Sequence, residues 1–457
     1  MRLEIIILAA GQGTRMRSTL PKVLHQVGGK SMLQHVIETA QKLTPKRIHV
    51  VTGHDSNLVR ETLLTALGEQ VIDIRWTLQE QQLGTGHAVA QAMPDIDSAS
   101  TCLILYGDSP LMKASSLKEL CSSDADLSLM TAKPDNSDGL GRILRDPGGG
   151  ITGIVEHKDA TDDQRLIAEV NTGIMACKAS SLKRWLGSLD NSNSQGEYYL
   201  TDVVATAVTE NAIVHTELAV DPTRLMGVNS LAELAIAERA FQRLNADQLM
   251  LDGVTLLDPA RIDVRGNTMF GTDCILDVNV ILEGNVVVGN HVSIGPNCLI
   301  RNAVIGNNCR VNANSVIEDA TLGTSCEIGP YARLRPEAIL KDNVKVGNFV
   351  EVKKSELGAG TKVNHLAYVG DSSVGSEVNI GAGVITCNYD GANKSQTIIG
   401  DNVFVGSDTQ LIAPVRIGDG VTIGAGSTIT RDVEAGMLAI SRPPQKSIAN
   451  WQRPKKK

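Results

Sequence analysis

Two patterns of apolar residues divide the chain. From Met1 to about Asn229, short apolar runs alternate with amphipathic stretches. Leu3–Leu8, Ile48–Thr52, Ile72–Trp76, Cys102–Tyr106 and Leu127–Thr131 read as buried strands. Ser31–Leu43, Ser56–Leu67 and Ser115–Leu120 carry helical spacing between them. Strands alternating with helices predict parallel βαβ units in a layered α/β domain over residues 1–229. Ser230 followed by Glu233 matches a capping box, and Leu231, Leu234, Ala237, Phe241 and Leu244 share one helical face. A connecting helix is therefore predicted over 230–252, with Gly253 as its terminator.

Over residues 253–457 an aliphatic residue followed by a small or polar one returns every six positions, as in Val288-Gly289, Ile294-Gly295 and Ile300-Arg301. The register continues from Leu322-Gly323 to Val352-Lys353 and resumes from Ile399-Gly400 to Ile423-Gly424. A period of six marks a parallel β-helix. Occasional steps of five set the natural coil at 17 or 18 residues. Cys298, Cys309 and Cys326 fall at an inward hexad position and read as small packing residues.

Composition sharpens this picture. Only 3% of the 457 residues are aromatic while 42% are hydrophobic, so much of the core must pack around aliphatic side chains. The net charge of −8 argues against a broad surface for nucleic acid or anionic membrane and leaves room for local basic pockets. No apolar run approaches the ~18 residues of a membrane-spanning helix, and a cytoplasmic protein is expected. The eight cysteines include no C-x-x-C pair and no zinc spacing, which predicts reduced, buried thiols.

The first strand runs into Leu8-Ala9-Ala10-Gly11-Gln12-Gly13-Thr14-Arg15-Met16, followed by Leu20-Pro21-Lys22. Met16 breaks a dinucleotide fingerprint, and Leu24 breaks a Walker A reading of Gly29-Lys30-Ser31. What remains is a glycine loop whose backbone N–H groups can approach phosphates, with Arg15 and Lys22 to balance charge. A plain turn carrying two solvated cations fits the same residues. With Gln79, Gln82-Leu83-Gly84-Thr85-Gly86, Tyr106-Gly107-Asp108, Gly139-Leu140-Gly141-Arg142, Glu156-His157-Lys158, Asn171-Thr172-Gly173 and Gly227-Val228-Asn229, the first half resembles the sugar-nucleotide pyrophosphorylases. These nucleotidyltransferases join a nucleoside triphosphate to a sugar 1-phosphate. The resemblance implies a Rossmann-like nucleotidyltransferase domain. Leu8, Ala9, Ala10, Gly11, Gln79, Gly84 and Thr85 would hold uracil and ribose, with Lys22, Tyr106 and Gly107 in the same UTP site. It also implies that Asp108 and Asn229 ligate Mg2+ and that Gly141, Glu156 and Asn171 hold the sugar. Arg15 and Lys22 would stabilise the phosphate charge that crowds together during transfer.

A bare hexad array serves equally well as a spacer or trimerisation device, but three features depart from the repeat. Arg335 and Lys353, one coil apart, should stack as like charges, with Gly370 leaving the next slot open, an arrangement that suits an anion. Register predicts one column of His365, Ala382, Ser407 and Ala425, a histidine beside a strip of small residues. The hexads break at Thr386 to Lys394, which predicts a protruding loop. With Gly329-Pro330-Tyr331-Ala332-Arg333-Leu334-Arg335-Pro336, Val363-Asn364-His365-Leu366 and Cys387-Asn388-Tyr389-Asp390-Gly391, nearly the whole chain resembles one bifunctional bacterial family. That family is the N-acetylglucosamine-1-phosphate uridyltransferase/glucosamine-1-phosphate acetyltransferases.

The resemblance implies a left-handed β-helix and a homotrimer; general crossover statistics alone favour the opposite hand. It makes His365 the base that takes the proton of the glucosamine amine as it attacks acetyl-CoA, with Glu351 orienting it. Arg335, Lys353, Tyr368, Asn379 and Lys394 would bind the sugar phosphate, and Ala382, Asn388, Tyr389, Ser407, Ala425 and Arg442 would contact acetyl-CoA. The implied substrates are glucosamine 1-phosphate, acetyl-CoA, N-acetylglucosamine 1-phosphate and UTP, in a supply line to peptidoglycan and envelope lipid. A single-activity pyrophosphorylase with an architectural solenoid is the alternative enzyme. A non-catalytic scaffold or sensor is opposed by the intact Arg15, Lys22, Asp108 and His365.

Overall fold

The computed structural model describes residues 2–68 and 73–456. The chain forms two compact units, residues 1–241 and 242–457.

The first unit is built on a sheet whose main strand order is Val214–Leu218, Leu127–Ala132, Val170–Lys178, Thr101–Tyr106, Leu3–Ala9, Arg47–Thr52 and Ile74–Leu78. Every residue of Leu3–Ala9 is buried, because helices cover both faces of a central parallel strand. Ile5 pairs with Ile48 on one side and Leu103 on the other. The strand expected over Ile72–Trp76 runs Ile74–Leu78; its expected start lies outside the described residues. The expected parallel units are present, and one further strand, Val170–Lys178, lies antiparallel between Thr101–Tyr106 and Leu127–Ala132. The physical reason is the hairpin Arg142–Arg145/Ile151–Val155, which precedes it in place of a crossover helix. Its register shifts between Asn171 and Met175, a bulge that re-aims the side chains there.

The helix predicted over 230–252 runs Leu231–Leu251, and the boundary between the units falls within it. Ser230 Oγ accepts from Glu233 N at 3.2 Å. The Glu233 carboxylate reaches back to Asn229 N at 2.6 Å, one residue beyond the usual capping box, and so holds Asn229 in place. In the second unit, Gln242 makes two hydrogen bonds to the Val264 backbone, of 3.0 and 2.7 Å.

The rest of the second unit is a parallel solenoid with three faces. One face is a sheet of 11 strands, and a continuous 17-stranded sheet wraps the other two. Leu282, Ile300, Ile317, Leu334, Val352 and Val369 stack inward, all fully buried. Corner residues take positive φ, and asparagine dominates there: Asn297 at 59°, Asn314 at 60° and Asn343 at 61°. Asparagine tolerates this region because its short polar side chain bonds locally. The expected inward cysteines Cys298, Cys309 and Cys326 are buried. All eight cysteines are free thiols, and burial pushes the Cys102 thiol up to about 12. No helix among the described residues is long and apolar enough to cross a membrane.

Truncating a stacked residue should open a cavity that neighbouring coils cannot close. Ile317→Ala is expected to cost about 2–5 kcal/mol, read as a lower urea midpoint for the loss of β-sheet circular dichroism.

Candidate active sites

In the first unit the strands deliver their carboxyl ends to one edge. Leu3–Ala9 runs into Ala10 and Gly11, Ile74–Leu78 into Gln79, and Thr101–Tyr106 into Gly107 and Asp108. This edge is where open α/β sheets bind ligands. Leu8, Ala9, Ala10, Gly11, Lys22, Gln79, Gly84, Thr85, Tyr106, Asp108 and Asn229 together line a cleft of about 570 Å³. Gly107 packs behind them, its N–H donating to Leu8 O at 2.9 Å. Gly84 has φ 109°, and a Cβ there would lie 2.6 Å from Tyr198 O, so only glycine fits where the chain enters the helix Thr85–Ala92. Gln82 Nε2, which the motif reading did not single out as a contact, donates to Ala10 O at 2.6 Å and braces the glycine loop.

The Lys22 ammonium donates to the Asp108 carboxylate and, at 3.0 Å, to Asn229 Oδ1. Asp108 and Asn229 therefore converge on a single cation. Two hard oxygen donors fit Mg2+, which normally fills its shell with water and phosphate. Among the described residues no cluster of three or more His, Cys, Asp or Glu could form an all-protein metal cage. Arg15 is exposed on the single turn Thr14–Met16 and has no partner among the described residues.

The sugar candidates also come together. Asn171 N donates to Gly141 O at 2.9 Å, and a Cβ on Gly141 would lie 3.4 Å from the Glu156 carboxylate. Thr201 Oγ1, absent from the sequence reading, donates to Glu156 at 2.9 Å. The Tyr106 ring covers Gly173, where a Cβ would come within 2.4 Å of it. Burial pushes up both the Tyr106 phenol and the Glu156 carboxyl. Burial, then the nearby Asp190, Glu156 and Asp159, push the Asp202 carboxyl up to about 6.

In the second unit, parallel register turns sequence spacing into columns. Arg265, Glu283, Arg301, Glu318 and Arg335 follow one another on one face, alternating in sign. Arg265 lies 2.8 Å from Glu283, and Arg301 lies 3.1 Å from Glu318. Burial raises Glu283, but hydrogen bonds from Arg301 and Arg265 outweigh it and hold the carboxyl below its ordinary value. The alternation breaks at Lys353, which follows Arg335 and precedes Gly370. The expected repulsion between Arg335 and Lys353 is corrected here, because Arg335 is paired with Glu351 at 2.7 Å. Within this column Lys353 has no ion-pair partner among the described residues. The slot at Gly370 is not open either: the Tyr368 phenol lies 2.3 Å from where a Cβ would stand.

His365 is exposed at the end of Lys362–His365. Register through Val363, Ile380, Val405 and Ile423 carries it into one column with Ala382, Ser407 and Ala425. Arg442 donates to Ala425 O, which brings it to the end of that strip. The expectation that Glu351 orients His365 is corrected: Glu351 holds Arg335, and His365 Nδ1 lies 2.7 Å from Asn348 Oδ1. Asn348 sits directly beside His365 on the preceding coil, whereas Glu351 belongs to the next face. An amide oxygen only accepts, so Nδ1 carries the hydrogen and Nε2 keeps the basic lone pair. The coil spacing that predicted the column could have found Asn348, 17 residues earlier.

Three bulky residues beside this column hold positive φ: Tyr331 at 56°, Phe349 at 56° and Leu366 at 48°. Asn297, Asn314 and Gly383 occupy the equivalent corners elsewhere. Strain of this kind concentrates at functional sites. The Tyr331 and Phe349 rings stack with centroids 5.3 Å apart. Asn388, expected at acetyl-CoA, donates to Asp371 and, at 3.5 Å, to Tyr368 Oη. Asn379 stands on another face between Lys362 and Phe404. The inserted loop is visible as a step of 25 residues between Ser376 and Asp401. Its tip closes through Asp390 Oδ1, which accepts from Ala392 N at 2.8 Å and Asn393 N at 2.6 Å. Tyr389 and Lys394 bridge across it.

A carboxyl-edge cleft with convergent cation and oxygen donors, followed by a hexapeptide solenoid bearing a histidine column, defines a nucleotidyltransferase joined to a hexapeptide-repeat transferase. Comparison with known families agrees. Residues 5–140 match the MobA-like NTP transferase domain, residues 264–348 the GMPPB C-terminal domain, and residues 396–431 the bacterial transferase hexapeptide (six repeats). The chain is 52% identical to the bifunctional protein GlmU of Marinobacter nauticus, across 99% of both chains. It is 53% identical to that of Azoarcus sp., across 99% of this chain and all of the relative, and 52% identical to that of Pseudomonas putida, across 100% and 99%. The chain belongs to the bifunctional protein GlmU family.

The Asp202 shift has a consequence for stability. A carboxyl raised in the folded state favours folding at low pH, and that contribution is lost as pH climbs through about 6. Asp202→Asn is therefore expected to raise the thermal midpoint at pH 8 relative to wild type and to leave it unchanged at pH 4.

Proposed function

We propose that the second unit acetylates glucosamine 1-phosphate with acetyl-CoA, and that the first couples the product to UTP, forming UDP-N-acetylglucosamine and pyrophosphate. The reading is supported by one observation: each unit carries, on its own framework, a cation suited to phosphate and the groups such chemistry would use. These are Lys22 at Asp108 and Asn229, and Lys353 on the solenoid that carries the His365 column.

In the acetyl step, the amine of glucosamine 1-phosphate attacks the thioester carbonyl. A new C–N bond forms, the C–S bond breaks, and the thiolate leaves to become CoA. His365 Nε2 takes the proton lost by the amine, and Asn348 holds the ring in that tautomer. Lys353, with Arg335 and Tyr368, binds the sugar phosphate, and Asn379 and Lys394 complete the set. Acetyl-CoA lies along Ala382, Ser407 and Ala425, with Tyr389, Asn388 and Arg442 closing on it. Asn379 and Tyr368 stand on different faces of one chain, and Tyr331, Phe349 and Leu366 form an exposed apolar ridge beside His365. Both features fit a homotrimer in which neighbouring copies cover the ridge and complete the pocket.

In the uridylyl step, an oxygen of the sugar phosphate attacks the α-phosphorus of UTP, and the bond to the departing pyrophosphate breaks. The nucleophile is already anionic, so no strong base is required. Lys22 and Arg15 balance the gathering charge, while Glu156, Asn171 and Gly141 orient the sugar. Asp108 and Asn229 would hold Mg2+, which would add charge neutralisation at the phosphates. The enzyme acts in the cytoplasm, and its product feeds peptidoglycan and envelope lipid assembly.

Two assays test the division of labour. Thiol release from acetyl-CoA with glucosamine 1-phosphate should fall by about 10²–10⁴-fold in His365→Ala, with UTP-dependent pyrophosphate release intact. Asp108→Ala should show the reverse pattern. An absence of thiol release from the wild-type enzyme would overturn the acetyltransferase reading. Lys353→Ala is expected to raise KM for glucosamine 1-phosphate about tenfold or more with acetyl-CoA saturating, the order expected for a charge-assisted phosphate contact.

A further inference from the structure

We infer that His87 is a positioning residue that fixes the side-chain amide of Gln79, so that the nucleotide cleft accepts a pyrimidine bearing an N3–H and rejects cytosine. The inference rests on the nucleotide reading of that cleft. Gln79 is 4% exposed at the end of Ile74–Leu78 and forms part of the cleft wall. Its amide nitrogen lies 3.1 Å from Gly84 O and 3.0 Å from His87 Nδ1. A backbone carbonyl only accepts, so the atom facing Gly84 must be the NH2 group. One of its hydrogens goes to Gly84, and the other needs an acceptor.

His87 supplies that acceptor only with a bare lone pair on Nδ1. Its Nε2 must then carry the hydrogen, and Gln91, whose side-chain Nε2 stands 3.1 Å away, receives it only when its amide turns to present Oε1 to the ring. Both donors of Gln79 are thereby consumed. Oε1 has no partner among the described residues, so Gln79 offers the cleft an acceptor and no donor. Uracil meets an acceptor with its N3–H, whereas cytosine presents a lone pair at N3 and is repelled. Without His87 the unbonded N–H could turn toward the cleft, and the selection would be lost.

The test compares kcat/KM for UTP and CTP in uridylyl transfer. His87→Leu keeps the bulk and removes the acceptor. It should lower the UTP/CTP ratio about tenfold or more, through KM for UTP, with kcat held. His87→Asn places an amide oxygen near the former Nδ1 and should restore the ratio. An unchanged ratio in His87→Leu, or a fall in kcat at constant ratio, overturns the positioning role. A wild-type enzyme indifferent to the base, or an unaltered ratio in Gln79→Ala, instead removes the nucleotide reading at Gln79, and this inference with it.

Discussion

Parallel pairing of strands is the constraint on which both halves of this protein depend. Because parallel neighbours run the same way, residues at equivalent positions lie side by side. In the first unit this gathers the carboxyl ends of Leu3–Ala9, Ile74–Leu78 and Thr101–Tyr106 onto one edge, bringing Gly11, Gln79 and Asp108 to a common cleft. In the solenoid it acts on every coil, so that a residue and its successor 17 or 18 places later become contacts. His365 acquires Asn348 below it and Ala382 above it by this rule alone. The aliphatic stack through Ile317 and Leu334 keeps the columns in step, since a slip of one residue would turn the buried set outward.

Stacking at strand spacing makes charge order matter. The alternation from Arg265 to Arg335 places each guanidinium next to a carboxylate. Exposed pairs contribute little singly, about 0–1 kcal/mol, but a connected ladder avoids the repulsion that like charges would otherwise impose. Lys353 ends the alternation, placing a second positive charge after Arg335. The first unit handles its cation differently, for Lys22 lies against the oxygens of Asp108 and Asn229. Asn229 owes its position to the helix start at Ser230, where Glu233 holds its N–H. A helix terminus thus supports an oxygen donor of the cleft.

Much of the site was legible from residues and spacing. Hexad register placed His365 with Ala382, Ser407 and Ala425 before any coordinates, and the glycine loop with Lys22 marked the wall of the cleft at the edge of the first sheet. The partners of those residues were not legible. Whether Arg335 repels Lys353 or pairs with Glu351 depends on which way a guanidinium reaches across a face. Whether Gly370 leaves a gap depends on where the Tyr368 ring folds. The antiparallel direction of Val170–Lys178 was not legible, because direction follows from the connection that precedes a strand, here the hairpin Arg142–Arg145/Ile151–Val155.

The sequence by itself determined the period of the solenoid, the chemistry available at each column and the positions of the loops, because these follow from local patterning and covalent spacing. Only the tertiary structure decided the direction of strand pairing, the Asn348 contact that sets the His365 tautomer, and the Gly84 and His87 contacts that orient Gln79. Hydrogen-bond direction and side-chain rotamer are set by neighbours distant in the chain, and no local pattern encodes them.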